Sequence, residues 1–406
     1  MLTWQQARRV LCVRLDNMGD VLMTTPAMQA LAESVPGRSL TLLTSRASAM
    51  LAPHLPMIDD VIAWDAPWVR HAHDGDGMAA AIGEGVAQLA AQSFDAAAIF
   101  TVYSQSALPA AMLCGMAGIP LRLAHCRENP YALLTDWVPD TEPDTRTDAP
   151  PRHEAQRQLD LVAQVGAVTG DPRLRFLLTD ADRAMAGGLL TDLAGKHRAA
   201  VRVVVHPGAT AASRRWPAER FADVARELAI GVGALVLVTG NGGERSLVEE
   251  VCRRAGHPAV VPMADRLSIG EMGALLSASD LLVSNNSGPV HMAAALGTPV
   301  VDLYALTNPQ HTPWMVPHRV LFQDVPCRYC YKSACPQGHH RCLREVSVLQ
   351  VVEASMALLD GEAGARTTMP WACHARQVPM PPPVSSGQEM PVQAIAKEDV
   401  HVHARH

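Results

Sequence analysis

The chain has 406 residues, of which 48% are hydrophobic and 18% are charged, and its formal net charge is -6. This length is enough for roughly two or three domains with large buried cores. The acidic balance provides no basic stripe, so nucleic acid is excluded as an expected partner.

The N-terminal residues 1–15 contain an apolar run, but Arg14 interrupts it and no small-residue cleavage pattern follows. We therefore expect no signal peptide. No stretch of about 18 apolar residues occurs, so we expect no membrane-spanning segment. These features predict a cytoplasmic protein, in which the nine cysteines are more typical of metal sites or free thiols than of disulfides.

Apolar runs and amphipathic segments alternate through the first half of the chain. The runs predict buried parallel strands, and the segments between them predict helices. The predicted strands are 10–15, 40–44, 61–64, 96–101 and 121–124, and the predicted helices are 21–35, 78–91, 105–117 and 153–168. Segments 67–77 and 136–151 predict loops, and the alternative for 67–77 is a metal site formed by His71, His73, Asp74 and Asp76. Repeated strand–helix units with short links predict a doubly wound sheet.

The first predicted strand runs into residues 16–20, which read DNMGD. Gly19 permits close approach of the backbone to a ligand. Asp20 falls at the start of a helix, where the macrodipole keeps a carboxylate ionised. Asp20 is therefore either a helix-capping residue or a catalytic base.

The second half repeats the alternation. Its predicted strands are 201–205, 234–239 and 281–283, and its predicted helices are 218–229, 245–254, 290–296 and one that ends near residue 279. Ser268 and Glu271 have the spacing of a capping box for that last helix. Two α/β halves, each with a small-residue turn after its first strand, predict two Rossmann-like domains facing a cleft.

A turn of small and polar residues, 284–288, separates the strand 281–283 from the following helix. Pro289 occupies the first helical turn, where proline is favoured. We expect unpaired backbone N–H groups at Ser287, Gly288 and Val290, and such a helix start favours an anion such as phosphate. An ordinary strand–helix turn of an α/β domain has the same pattern.

Four segments in series resemble the ADP-heptose glycosyltransferases, the heptosyltransferases of lipopolysaccharide core assembly and their relatives. The segments are 14–26 (RLDNMGDVLMTTP), 206–208 with 214–217 (HPG and RRWP), 239–244 (TGNGGE) and 284–291 (SNNSGPVH). The resemblance extends over about residues 9 to 360. It implies a GT-B fold and inverting transfer without a required cofactor. It also implies that the first domain holds the acceptor and the second holds the nucleotide sugar.

The resemblance also implies roles for individual residues. It assigns Asp20 as the catalytic base, Asn17 and Gly19 to the acceptor side, Arg214 to the diphosphate and Arg215 to the donor side. It also assigns Glu244 to the nucleoside, and Asn286, Ser287, Gly288 and His291 to the donor-binding turn. At one position the chain departs from the family, which often has Asp where this chain has Asn286. An amide can hydrogen-bond a sugar or phosphate, but it cannot accept a proton or carry charge. An ionic role at position 286 therefore does not carry over.

The chemistry of sugar transfer agrees with these roles. Displacing a nucleoside diphosphate builds negative charge on the leaving phosphate, which an arginine and a helix N-terminus stabilise without a metal. A carboxylate on the opposite wall can accept the proton of the attacking hydroxyl.

The loop 327–342 is rich in cysteine. Cys327 and Cys330 form a Cys-x2-Cys half-site, and Cys335 and Cys342 would complete a tetrahedral set for one structural zinc or iron. The alternative is a compact loop of reduced thiols.

These observations predict an acceptor domain over residues 1–175 and a nucleotide-sugar domain over 176–346. A helix over 347–361 is expected to return to the first domain, and a disordered tail is expected over 362–406. We expect heptose transfer from ADP-heptose to a glycolipid acceptor at the cytoplasmic face of the inner membrane. The alternatives are a protein O-heptosyltransferase, a transferase using another nucleotide sugar, and an inactive nucleotide-sugar-binding protein.

Overall fold

The computed structural model describes residues 2–69, 75–141, 151–197 and 199–361. The predicted tail 362–406 lies outside these residues. So do residues 70–74 of the predicted loop 67–77 and residues 142–150 of the predicted loop 136–151.

Six parallel strands form the first sheet, in the order β3-β2-β1-β4-β5-β6. They are β1 (Arg9–Arg14), β2 (Ser39–Thr44), β3 (Asp60–Ala63), β4 (Ala96–Ile99), β5 (Leu121–Cys126) and β6 (Asp136–Pro139). Helices α1 (Met18–Ser34), α2 (Gly75–Ala90), α3 (Leu108–Met116) and α4 (Glu154–Ala163) accompany them. Strand β1 is apolar on both faces because Val10 and Cys12 join one buried cluster while Leu11 and Val13 join another.

The second sheet has the same topology, with the order β12-β11-β10-β7-β8-β9. Its strands are β7 (Arg202–His206), β8 (Leu235–Val238), β9 (Val260–Pro262), β10 (Leu281–Asn285), β11 (Val300–Leu303) and β12 (His318–Leu321). Its helices are α5 (Asp180–His197), α6 (Ala218–Gly231), α7 (Arg245–Ala255), α8 (Ile269–Ser277), α9 (Gly288–Leu296), α10 (Arg341–Arg344) and α11 (Val348–Leu359). The strand order reverses between β1 and β4 and again between β7 and β10. Open α/β sheets bind ligands at such switch points, beyond the carboxyl ends of the strands.

The two parallel sheets confirm the predicted pair of doubly wound Rossmann-like units. The capping box at Ser268 is confirmed, since the Ser268 N–H donates to the Glu271 carboxylate at 2.7 Å. Residues 136–139 form an edge strand instead of the predicted loop. Helix α5 and strands β9, β11 and β12 are additions that the sequence did not predict.

A continuous apolar cluster extends from the first sheet to the second through α1, α5, α8 and α9. The prediction for the C-terminal helix was wrong in one respect. Helix α11 places Val351, Ala354 and Leu358 in the cluster of the second half and packs against α6, so it does not return to the first half. Within the described ranges, no helix combines the length and apolar character needed to cross a membrane.

Candidate active site

Asp20 occupies the first turn of α1, directly beyond the carboxyl end of β1. Its Oδ2 accepts a hydrogen bond from the Asn17 N–H at 3.2 Å, so the carboxylate does cap the helix. Its Oδ1 is left facing Arg14 Nη2 at 3.6 Å and His311 Nδ1 at 3.9 Å. The residue is 8% exposed. The capping interpretation and the base interpretation are therefore compatible, because each concerns a different oxygen.

A buried arginine holds the surroundings of Asp20 together. The Arg14 guanidinium is fully buried and donates from Nη1 to Glu154 Oε1 at 2.9 Å, while its Nε lies 3.0 Å from Asp16 Oδ2. Burial opposes the charge on Arg14, but the carboxylates of Asp16, Glu154 and Asp20 outweigh it and raise the pKa. The guanidinium is thus shared among three carboxylates and neutralises none of them completely.

Asp16 lines a cavity in the first half. Its Oδ1 accepts a hydrogen bond from Gln105 Nε2 at 2.6 Å. Burial raises the pKa of this carboxyl to about 6, although Arg14 opposes the shift. The cavity has a volume of about 230 Å³ and is lined by Trp68, Thr101 and Gln105 as well as Asp16. It combines apolar walls with polar groups, as ligand cavities commonly do.

The N-terminus of α9 follows β10 through the predicted turn. Among the described residues no acceptor is found for the backbone N–H groups of Ser287 and Gly288, which therefore remain available to an anion. The prediction for Val290 was wrong, because its N–H donates to the Ser287 carbonyl at 3.0 Å. That bond closes the first turn of the helix.

The N-termini of α1 and α9 touch each other at Gly19. A Cβ built on Gly19 would lie 2.7 Å from Cδ2 of His291 and 3.6 Å from the Cα of Gly288. His291 is 3% exposed, and burial lowers its pKa well below the usual range, so the imidazole is neutral. The glycine therefore permits the helix that carries Asp20 to approach the helix that carries the free N–H groups.

The Asn286 side chain is used within the protein. Its Nδ2 donates to Asp302 Oδ2 and to the His311 carbonyl, both at 2.9 Å. Burial raises the pKa of Asp302 to about 8. The amide therefore joins the α9 turn to β11 and to the segment that carries His311, and its role in donor binding stays a prediction.

Arg214 and Arg215 differ in what they contact. Arg215 Nε donates to the Ala209 carbonyl at 2.7 Å, which fixes the loop after β7. Within the described part of the chain, the Arg214 guanidinium has no hydrogen-bond or ion-pair partner. Besides burial, the positive charge of Arg214 contributes to lowering the pKa of His291 and His311. Arg214 thus supplies an unpaired cation near the N-terminus of α9.

Asn285 is a structural residue of the site that the sequence analysis did not single out. It is fully buried, accepts from the Trp216 N–H at 3.0 Å and donates to the Pro207 carbonyl at 2.7 Å. This single side chain ties β10 to the loop after β7 and to the segment that follows Arg214. His311 was also missed, because the strand that precedes it was not predicted.

Glu244 lies against the loop that follows β7. Its Oε2 accepts from the Asn241 N–H at 3.0 Å, and a Cβ on Gly208 would lie 2.0 Å from its Oε1. A side chain at position 208 would therefore displace the Glu244 carboxylate from this position. Glu244 stands at the carboxyl ends of β7 and β8, as expected of a residue that meets a ligand at the sheet edge.

The four cysteines of the 327–342 loop are free thiols. Burial raises the pKa of Cys342, and the other three cysteines act in the same direction, so the four groups lie near one another. Cys327 Sγ is 3.6 Å from His339 Nε2. No group of three or more His, Cys, Asp or Glu side chains in the described residues is arranged to hold a metal ion.

Two Rossmann-like units, each with a six-stranded parallel sheet of the same strand order, are the architecture of the GT-B class of glycosyltransferase fold. Residues 86–340, more than half of the chain, match glycosyltransferase family 9 (heptosyltransferase). The chain therefore belongs to glycosyltransferase family 9.

A relative that matches part of the chain agrees with this assignment. Lipooligosaccharide heptosyltransferase 2 of Campylobacter jejuni is 27% identical over 160 residues, which is 38% of this chain and 50% of the relative. The match thus spans about half the length of that relative.

Two solved structures have the same fold. A glycosyl transferase family 9 protein from Veillonella parvula superposes with a TM-score of 0.70 at 22% identity, over 89% of this chain and 99% of the other. The E. coli ADP-heptose lps heptosyltransferase II superposes with a TM-score of 0.66 at 21% identity, over 87% and 99%.

Proposed function

We propose that the chain is an inverting glycosyltransferase that transfers heptose from ADP-heptose to a glycolipid acceptor of the lipopolysaccharide core. Family membership supports sugar transfer, and the names of the relatives supply the donor and acceptor classes. The observation that carries the proposal is the contact at Gly19, which brings Asp20 next to the N-terminus of α9. We further propose that the first half, up to about residue 175, holds the acceptor at the cytoplasmic face of the inner membrane.

In the proposed reaction, an acceptor hydroxyl oxygen attacks the anomeric carbon as the bond from that carbon to the ADP oxygen breaks. Asp20 Oδ1 accepts the hydroxyl proton, while Oδ2 remains bonded to the Asn17 N–H and fixes the carboxylate. Arg14 donates from Nη1 to Glu154, which holds its Nη2 3.6 Å from the basic oxygen Oδ1 of Asp20. Asn17, exposed beside the cavity at Asp16, is assigned to the acceptor side.

The diphosphate is assigned to the N–H groups of Ser287 and Gly288 and to the unpaired Arg214. These donors face the point where negative charge develops as ADP leaves, and they are in place before the reaction. Glu244 is assigned to the nucleoside, where a carboxylate accepts hydrogen bonds from ribose hydroxyls. His291 and Arg215 are also assigned to donor binding. His291 packs at the start of α9, and Arg215 fixes the loop after β7.

A thermal-shift screen of ADP, UDP, GDP and their sugars tests the donor. A ligand present at a hundred times its dissociation constant stabilises the fold by about 2.7 kcal/mol, so ADP-heptose should give the largest shift. A larger shift with UDP or GDP sugars would overturn the donor assignment.

The substitution Asp20→Asn tests the base. It keeps the size and capping oxygen of the side chain but removes proton acceptance, so turnover should fall by ~10²–10⁴ with ADP binding retained. Glu271→Gln is the matched control, because Glu271 caps α8 in the same way, away from the site. Near-wild-type turnover in Asp20→Asn would reduce Asp20 to a helix cap.

We also propose that Cys327, Cys330, Cys335 and Cys342 bind one structural zinc or iron. The Cys-x2-Cys spacing supports this assignment, and the thiols would have to move together to ligate the ion, since no three such groups in the described residues are arranged as ligands. No catalytic step involves the ion. Protein purified under reducing conditions should carry about one equivalent of metal, and Cys330→Ser should release it and lower stability. Metal-free protein of unchanged stability would leave the free-thiol interpretation.

A further inference from the structure

The Cys-rich loop, residues 327–342, is bonded directly to the residue before Arg214. Ser213 is 4% exposed. Its N–H donates to the Ser333 carbonyl at 3.1 Å, and its Oγ donates to the Lys332 carbonyl at 2.9 Å. Both hydrogen bonds that Ser213 donates are therefore accepted by carbonyl groups in the middle of the loop, between Cys330 and Cys335.

The backbone around Arg214 is fixed on its other side as well. The Trp216 N–H donates to the buried Asn285 Oδ1 at 3.0 Å, and the Arg214 N–H donates to the Ala211 carbonyl at 3.0 Å. The side chain of Arg214 is left without a partner among the described residues. Because the backbone is already fixed, less conformational entropy of the segment is lost when the Arg214 side chain binds a ligand.

The loop is itself anchored beside the site. The Tyr329 N–H donates to the Leu306 carbonyl at 2.6 Å, and the Tyr331 N–H donates to the Thr307 carbonyl at 2.8 Å. This second attachment lies on the segment that leads to His311. The loop thus bridges the Arg214 turn and the segment that faces Asp20.

We propose that the Cys-rich loop positions Arg214 for the donor diphosphate and that Ser213 is the positioning residue through which it acts. The inference rests on the proposed function and deepens it, because it concerns how the nucleoside diphosphate is held. Ser213 does not touch the donor. Its hydroxyl fixes the backbone from which the Arg214 guanidinium extends.

A double-mutant cycle on the full chain tests this coupling, with ADP affinity measured by calorimetry. Ser213→Ala removes one buried hydrogen bond and should weaken ADP binding by about three- to tenfold. In the Arg214→Ala background the same change should have no further effect, because the group it positions is gone. Ser279→Ala is the control: Ser279 is also buried in the second half, and its Oγ donates to the Leu275 carbonyl at 2.7 Å. Its loss should leave ADP affinity unchanged.

Two results would overturn the inference while leaving the proposed function intact. One is a Ser213→Ala variant that binds ADP as tightly as the wild type. The other is an equal loss of affinity in the presence and absence of Arg214, which would show a general structural effect. A wild-type chain that does not bind ADP would overturn the proposed donor, and this inference with it. Thermal unfolding of each variant shows that the comparison is made on folded protein.

Discussion

A single methyl group at position 19 tests the contact on which the proposed function depends. The substitution Gly19→Ala would place a Cβ 2.7 Å from Cδ2 of His291, well inside ordinary contact distance. The His291 ring is buried, and Gly288 lies behind it at 3.6 Å from the new atom. The methyl group can be accommodated only if α1 and α9 move apart or the imidazole leaves its position.

The size of the effect follows from two opposing contributions. Overpacking a buried contact costs about 1–3 kcal/mol, whereas replacing glycine by alanine within a helix contributes about 1 kcal/mol of stabilisation. The free energy of unfolding should therefore fall by up to about 2 kcal/mol. A displacement of about 1 Å between reacting groups can cost ~10² in rate, so transfer should fall far more than stability does.

The assay compares heptose transfer, ADP affinity and thermal unfolding in Gly19→Ala and in Gly188→Ala. Gly188 lies within α5, and a Cβ there meets no atom within 4 Å. The control should therefore be unchanged in activity and slightly more stable, since only helix propensity changes. Wild-type transfer in Gly19→Ala would refute the argument that a close approach of the two helices aligns the base with the donor.

Further predictions concern the pH dependence of stability and the binding of the nucleoside. The native state keeps a proton on Asp302 up to a pKa of about 8, whereas the unfolded chain releases it near 3.8, so stability should fall as the pH rises from about 4 to about 8. Asp302→Asn should flatten that slope in denaturant titrations, and an unchanged slope would contradict the burial argument. Asp16, with a native pKa of about 6, should cause a similar fall between about pH 4 and 6 that Asp16→Asn reduces. Gly208→Ala should displace the Glu244 carboxylate and weaken ADP binding but leave pyrophosphate binding unaltered, and equal losses for both ligands would count against a nucleoside role.

Long and strongly patterned elements could be predicted from the sequence. Strand β10 and helix α9 are an apolar run and a helix-forming run separated by small polar residues, and α11 begins directly after its N-cap residue Ser347. Strands β9, β11 and β12 have only three or four residues each, which is too short for a periodic pattern. They form because they pair with strands distant in sequence, and that information is not local.

The site was predictable as a set of residue types but not as a set of contacts. The motifs bring Asp20, Arg214 and the Ser287 turn into one region, as expected from the carboxyl ends of parallel strands. The buried pair of Arg14 with Glu154 joins residues 140 positions apart, so no local pattern indicates it. A motif also cannot show whether a side chain contacts a ligand or donates a hydrogen bond to a nearby backbone carbonyl. Arg215 donates to the Ala209 carbonyl.

The departure from the family at position 286 has a local physical reason. The Asn286 amide donates both of its hydrogens, one to Asp302 and one to the His311 carbonyl. A carboxylate at this position would supply neither hydrogen bond and would add a second acid 2.9 Å from the Asp302 oxygen. Because burial raises the pKa of Asp302 to about 8, its carboxyl group is largely neutral at pH 7 and is compatible with an amide neighbour. Asn286 and Asp302 therefore form a matched pair, in which the acid lies on β11 and the turn at the start of α9 carries no charge of its own.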